Sequence, residues 1–223
     1  MIAGSTALGP EGGSVLAAAR AAGAVTLQRH APPDGGEGYV PPHLIDHGAN
    51  MRRLAAEGCD RALALASVGS LSPSLPVGSL VCPDDFIALQ RAVSVFPDAR
   101  GHGTRGFDAA LRVRVIASWK AKPPLRDGGV YWESAGPRFE TAAEVRMIRP
   151  HADVVGMTAA SECVVAADLG IAYAAICVVD NLANGLGAEP LTIEEFEAGR
   201  AASAAALAAG LASLLPRLGE VAA

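Results

Sequence analysis

Apolar and polar positions alternate along this chain in blocks of two kinds. Short runs rich in Val, Ile, Leu and Ala occupy 61–67, 80–82, 129–134, 153–157 and 173–179, and none shows polar residues at every second position. Runs of that length without a polar face predict strands buried on both sides. Between them, apolar residues recur at helical spacing over 13–22, 42–57, 108–121, 141–149, 161–169 and 193–215. Thr192 followed by Glu195 has the form of a capping box at the start of the last helix. Gly58 and Gly170 stand where a helix-terminating glycine is expected. Strand alternating with helix predicts an α/β fold around a central sheet, in one domain spanning 1–223. The stretches 34–38 (DGGEG) and 98–106 (DARGHGTRG) read as surface loops, which in such folds carry ligand sites.

Composition narrows the function classes. Apolar residues make up 51% of the 223 positions and charged residues 18%, enough apolar surface for a packed core. The formal net charge of −5 argues against nucleic acid as a partner. Cys59, Cys82, Cys163 and Cys177 form no paired motif and have no histidine at ligand spacing, so they read as reduced, mostly buried thiols, with no metal implied. No apolar run reaches membrane-spanning length and no leader pattern opens the chain, so a cytoplasmic location is expected.

Three stretches carry candidate chemistry. In 135–141 (AGPRFET) a Gly-Pro turn sets Phe139, able to stack on a flat heterocycle, beside Glu140, able to accept from a ring N–H. On spacing alone, a strand-to-helix turn with Phe139 in the core explains the pattern as well. In 153–162 (DVVGMTAASE) a strand gives way to a helix at Gly-Met-Thr, where a hydroxyl and backbone N–H groups can hold an anion; a plain N-cap is the alternative. In 174–187 (AAICVVDNLANGLG) a strand ends in Asp180 and Asn181 before a Gly-rich loop. Asn181 offers both donor and acceptor to a purine edge, or closes an Asx turn.

In this order, the three stretches resemble the methylthioadenosine phosphorylase and purine nucleoside phosphorylase family. So do 2–8 (IAGSTAL, a phosphate loop), 28–50 (QRHAPPDGGEGYVPPHLIDHGAN) and 64–80 (ALASVGSLSPSLPVGSL). The resemblance implies a mixed sheet curled into a distorted barrel flanked by helices, and a homotrimer or dimer of trimers. It implies reversible phosphorolysis with inorganic phosphate as co-substrate and no cofactor. It assigns phosphate to Thr6 (or Ser5), Arg29, His30, Ser67 and Thr158. It assigns the nucleoside to Phe139, Met157, Ala183 and His102, and the catalytic contacts with the base to Asn181 and Glu140. Adenine-specific members resemble T-D-Y-D where this chain has D-N-L-A, so a 6-oxopurine or methylthioinosine substrate is implied. A methylthioadenosine or 5′-deoxyadenosine phosphorylase and an inactive purine-binding relative are the alternatives. Departures from the family pattern are the short segment 9–27, Ala31 after R-H, Ser67 at a usual Ala, TAAS at 158–161, and His47 at a usual Tyr.

Overall fold

The computed structural model describes residues 2–3, 12–32, 38–90, 92–187 and 193–219. Two long strands make its centre, β3 (Arg61–Ser70) and β9 (Ala172–Leu182), paired in parallel along their whole length. Their residues alternate between two apolar clusters. Ala62, Ala64, Ala66 and Val68 with Tyr173, Ala175, Cys177 and Val179 pack into one. Leu63 and Leu65 with Ala174, Ile176 and Val178 pack into the other. Both faces are covered, which explains the absence of polar alternation in the sequence.

Around this pair lie β4 (Leu80–Cys82), β5 (Asp85–Ile87), β6 (Leu125–Asp127), β7 (Val130–Glu133) and β8 (Val154–Gly156), in the order β5-β7-β8-β3-β9-β4-β6. The two ends of that path are joined. β4 runs into β5, β6 runs into β7, and the β4–β6 ladder continues into the β5–β7 ladder through Gly128 N–H to Cys82 O (3.0 Å) and Asp84 N–H to Gly129 O (3.2 Å). The sheet therefore closes into a distorted barrel. The bend falls at Gly128 (φ 83) and Gly129 (φ 128), in a region of backbone space that side chains disfavour. Two short strands, β1 (Ile2–Ala3) and β2 (Leu27–Gln28), attach outside the ring, β1 pairing with the first half of β3.

Among the described residues six α-helices pack around the sheet: α1 (Gly12–Ala21), α2 (His47–Ala56), α3 (Ala109–Ser118), α4 (Ala142–Ile148), α5 (Ala159–Asp168) and α6 (Ile193–Gly219). Side chains of α1, α3 and α6 join one apolar cluster, those of α2 and α5 the other. Among the described residues no helix is long and apolar enough to cross a membrane.

Several sequence expectations are corrected. The helix expected over 42–57 is two pieces, a 3₁₀ turn at Pro42–Leu44 and α2, because Ile45 is extended and Asp46 starts a new helix by accepting from Ala49 N–H at 2.8 Å. β3 continues three residues past Ser67. β9 continues through Asp180 and Asn181 to Leu182, so both polar residues belong to the strand rather than to a following loop. The short strands β5 and β6 were hidden by their charged and proline neighbours. α6 passes Pro216, which lies near the helix end where only one backbone bond is forfeited. The capping box expected at Thr192 lies outside the described residues.

Candidate active site

A cleft of about 310 Å³ opens over the carboxyl end of β3. Its wall includes Arg29, His30, Ser67, Phe139, Glu140, Met157, Thr158, Asn181 and Ala183, so nine of the candidate residues share one space although they are scattered over 155 positions of sequence. The barrel explains this. β3, β8 and β9 are neighbours, and each ends or bends at the same rim. Two candidates remain. Thr6, with its rival Ser5, lies outside the described residues. His102 is exposed at the end of a 3₁₀ turn (Ala99–His102) and is not among the residues that line the cleft of its own chain.

Arg29 leads one end of the site. Its Nε and Nη2 donate to the two carboxylate oxygens of Glu162, at 2.6 and 2.8 Å, and its Nη1 donates to Leu65 O at 2.6 Å. Tyr173 donates to the same carboxylate at 2.6 Å. Arg29 and Glu162 are both buried. Burial alone would lower the arginine's pKa, but the charge and hydrogen bonds of Glu162 raise it well above its usual range. Burial likewise opposes ionisation of Glu162, and Arg29 overcomes it, holding the carboxyl below its ordinary value. His47, the first residue of α2, is buried close enough for its charge to act on Glu162 as well. Among the described residues, three of the five guanidinium N–H groups are thus bonded within the protein.

His30 follows, its Nδ1 2.8 Å from Val40 O and its ring stacked on Tyr39. A carbonyl only accepts, so Nδ1 carries the hydrogen. Burial, reinforced by the charge of Arg29, depresses the imidazole pKa, and His30 is neutral at pH 7.

The start of α5 departs from the sequence expectation. The N–H groups of Thr158 and Ala159 donate to the buried Tyr131 hydroxyl (3.2 and 3.3 Å), and the Ser161 N–H donates to Glu133 at 2.9 Å while its hydroxyl donates to the same carboxylate. Those amides are satisfied internally and are not an anion nest. The Thr158 side chain makes no capping bond and lies on the cleft wall. Gly156 is required here, because a Cβ would collide with the Tyr131 hydroxyl.

The other end of the site lies two to four residues further along β3. Asn181 packs its amide beside Gly69, where a Cβ would stand 3.1 Å from Nδ2, and donates to Leu182 O at 3.0 Å. Asn184 ties the loop after β9 to the 135–141 turn by donating to Glu140 O at 2.8 Å. Phe139 is 37% exposed and lies on the cleft wall, outside the core. Met157 fits because Gly136 (φ 67) has no side chain; a Cβ there would stand 2.6 Å from its sulfur. Midway, Ser67 donates to the buried Asp180 at 2.5 Å.

The model of the phosphorylase superfamily matches residues 4–216. The chain belongs to the phosphorylase superfamily. A probable 6-oxopurine nucleoside phosphorylase of Archaeoglobus fulgidus is 39% identical over 176 residues, covering 76% of this chain and 69% of the relative. A probable S-methyl-5′-thioinosine phosphorylase of Methanosarcina acetivorans is 36% identical over 175 residues, covering 77% and 66%. Among solved structures, methylthioadenosine phosphorylase from Schistosoma mansoni in complex with adenine aligns with a TM-score of 0.76 over 88% of this chain and 78% of that one. At 21% identity that likeness concerns the superfamily fold alone.

Sequence reasoning missed Glu162, Tyr131 and Asn184, and it named Asp180 without a partner. A signal existed for Glu162 and for the partner of Asp180, since both are lone carboxylates inside otherwise apolar runs, an arrangement that requires a partner. Three of the four cysteines are buried and all are free; burial pushes the Cys82 thiol up to about 11 and Cys163 up to about 12.

Proposed function

We propose that the chain catalyses reversible phosphorolysis of a 6-oxopurine nucleoside, such as inosine, guanosine or 5′-methylthioinosine. The observation that carries this reading is that Asn181 and Glu140 line the same cleft as Arg29, His30 and Thr158. Along β3 the two groups are about four residues apart, on the order of 13 Å at strand rise. That span suits a base at one end and a phosphate at the other. The names carried by the relatives support the same substrate class.

In this reading a phosphate oxygen attacks C1′ as the C1′–N9 bond breaks, and the purine leaves with the bonding electrons. Positive charge develops on the sugar and negative charge on the purine. Phosphate beside C1′ stabilises the first, and hydrogen bonds to the ring stabilise the second. The Asn181 amide donates to N7 or approaches O6, and Glu140 accepts the N1–H that 6-oxopurines have and adenine lacks. Phe139 stacks on the base, Met157 lies under the ribose and Ala183 leaves room at the base edge. Arg29, His30, Thr158 and the loop bearing Thr6 hold phosphate. The homotrimer belongs to the same reading and is supported by the exposure of two aromatic residues on the cleft wall, Tyr39 at 55% and Phe139 at 37%.

The alternative, a methylthioadenosine phosphorylase, is disfavoured by Asn181 and Ala183. Asn181→Asp separates the two readings, because a carboxyl can protonate N7 and receive the adenine amino group. We expect the ratio of kcat/KM for adenosine to that for inosine to rise at least about tenfold. Equal responses of the two substrates would contradict the assignment of Asn181 to the base.

A further inference from the structure

The two residues assigned to the base come from different parts of the fold. Asn181 belongs to β9, and Glu140 to the 135–141 turn between β7 and α4. Asn184 joins them, because its Nδ2 donates to Glu140 O at 2.8 Å. The frame behind Asn184 is tied to the central strands. Ala183 N–H donates to Ser70 O at the end of β3 (2.9 Å), and Leu186 N–H donates to Ala183 O (3.1 Å), so Asn184 sits in a closed turn. Gly185 (φ 82) lets that turn lie against the start of α4, where a Cβ would stand 2.9 Å from the Cβ of Ala142. Other tethers of the 135–141 turn lead elsewhere. Ala135 N–H donates to Gln90 Oε1 at 2.8 Å, in the segment after β5. Arg138 donates to both carboxylate oxygens of Glu144, and Thr141 shares a capping box with the same residue, which fastens both to α4. Of these bonds, the one from Asn184 is made at Glu140 itself and leads back to the loop that follows Asn181.

We propose that Asn184 is a positioning residue for base choice. It holds Glu140 at a fixed distance from Asn181, so that the pair fits a ring with an N1–H and does not draw apart to admit one without it. This inference rests on the phosphorolysis reading, with Asn181 and Glu140 on the base, and adds what sets the selectivity. Glu140 rewards an N1–H only while its carboxylate stays within hydrogen-bond reach, and a misplacement of about 1 Å forfeits much of that reward. The same fixity works against adenine, because a carboxylate held against the N1 lone pair is a repulsive contact that the turn cannot retreat to relieve. The clamp needs a donor at 184, since Glu140 O only accepts; an amide supplies one and an ionised carboxylate does not.

The test is a double-mutant cycle on the intact protein, with initial rates on inosine and adenosine and the KM for phosphate measured for each variant. Asn184→Ala should lower kcat/KM for inosine about tenfold and the inosine-to-adenosine ratio by a similar factor, with the KM for phosphate within about twofold of its starting value. Asn184→Asp keeps the shape of the side chain but loses the donor. It should do the same, and it covers the case in which the alanine variant fails to fold. In a Glu140→Ala background the carboxylate to be positioned is gone, and Asn184→Ala should change kcat/KM for inosine less than about twofold. Unchanged rates in both Asn184 variants, equal losses for inosine and adenosine, a KM for phosphate that rises with the loss, or the same loss in both backgrounds would overturn the inference while leaving phosphorolysis standing. Absence of phosphate-dependent release of base by the unaltered protein would instead overturn the phosphorolysis reading, and this inference with it.

Discussion

Glu162 is the residue on which the proposed phosphate end depends, although it faces a side chain of the protein rather than the cleft. Its carboxylate fixes both Nε and Nη2 of Arg29, so the guanidinium reaches the wall in one orientation. Removing one partner of a buried pair leaves the other charge unsatisfied. Glu162→Gln should therefore cost about 3–5 kcal/mol of stability, read by chemical denaturation, and should raise the KM for phosphate more than that for nucleoside. A loss below about 0.5 kcal/mol would show that water reaches the pair and that Arg29 does not need it. Arg29 itself was legible from its R-H context. Its partner was not, because 133 residues separate them and no local pattern joins them. Asp180 was visible as a charge in an apolar strand, but its bond to Ser67 depends on the parallel register of β3 and β9.

At the scale of elements, the junction of β8 with α5 positions Met157 and Thr158. The Tyr131 hydroxyl reaches this junction from β7 and receives the amides of the N-cap Thr158 and of Ala159, the first residue of α5, and Glu133 receives the Ser161 N–H. Gly156→Ala would push Tyr131 away and leave those amides without their partner in a buried place. We expect a loss of about 1–3 kcal/mol together with a fall in kcat, measured by thermal unfolding and by turnover. Unchanged turnover would show that Thr158 is positioned by something other than this cap. Long, wholly apolar strands were readable because both of their faces are buried. Of the three-residue strands, the apolar β4 and β8 were readable, whereas β5 and β6 were not, because Asp85, Arg126 and Asp127 interrupt them and their pairing comes from the ring closing at Gly128–Gly129. The split of the 42–57 helix was signalled locally by Asp46, whose capping bond outweighs helical periodicity.

At the scale of the molecule, barrel closure brings 29–30, 67–69, 137–140, 155–158 and 181–184 to one rim, and this convergence was legible only through the family resemblance. The buried charges also set how the whole fold responds to acid. His30 has its pKa depressed by burial below the ordinary 6.5, so its contribution is complete above that value and declines as pH falls and the unfolded chain takes up the proton first. Glu162 has its pKa lowered below 4.5, so the stability of its pair is complete above 4.5 and is lost as pH falls through the folded value. The unfolding midpoint should therefore hold level above pH 6.5, decline below it and fall more steeply below 4.5. A midpoint that rises on acidification would contradict the assignment of a neutral His30 and an ionised Glu162.

The most direct measurement follows release of free base from inosine, guanosine, 5′-methylthioinosine and 5′-methylthioadenosine, each with and without inorganic phosphate. Release from the 6-oxopurine substrates only when phosphate is present is the predicted result. Turnover confined to methylthioadenosine, or release independent of phosphate, would contradict it.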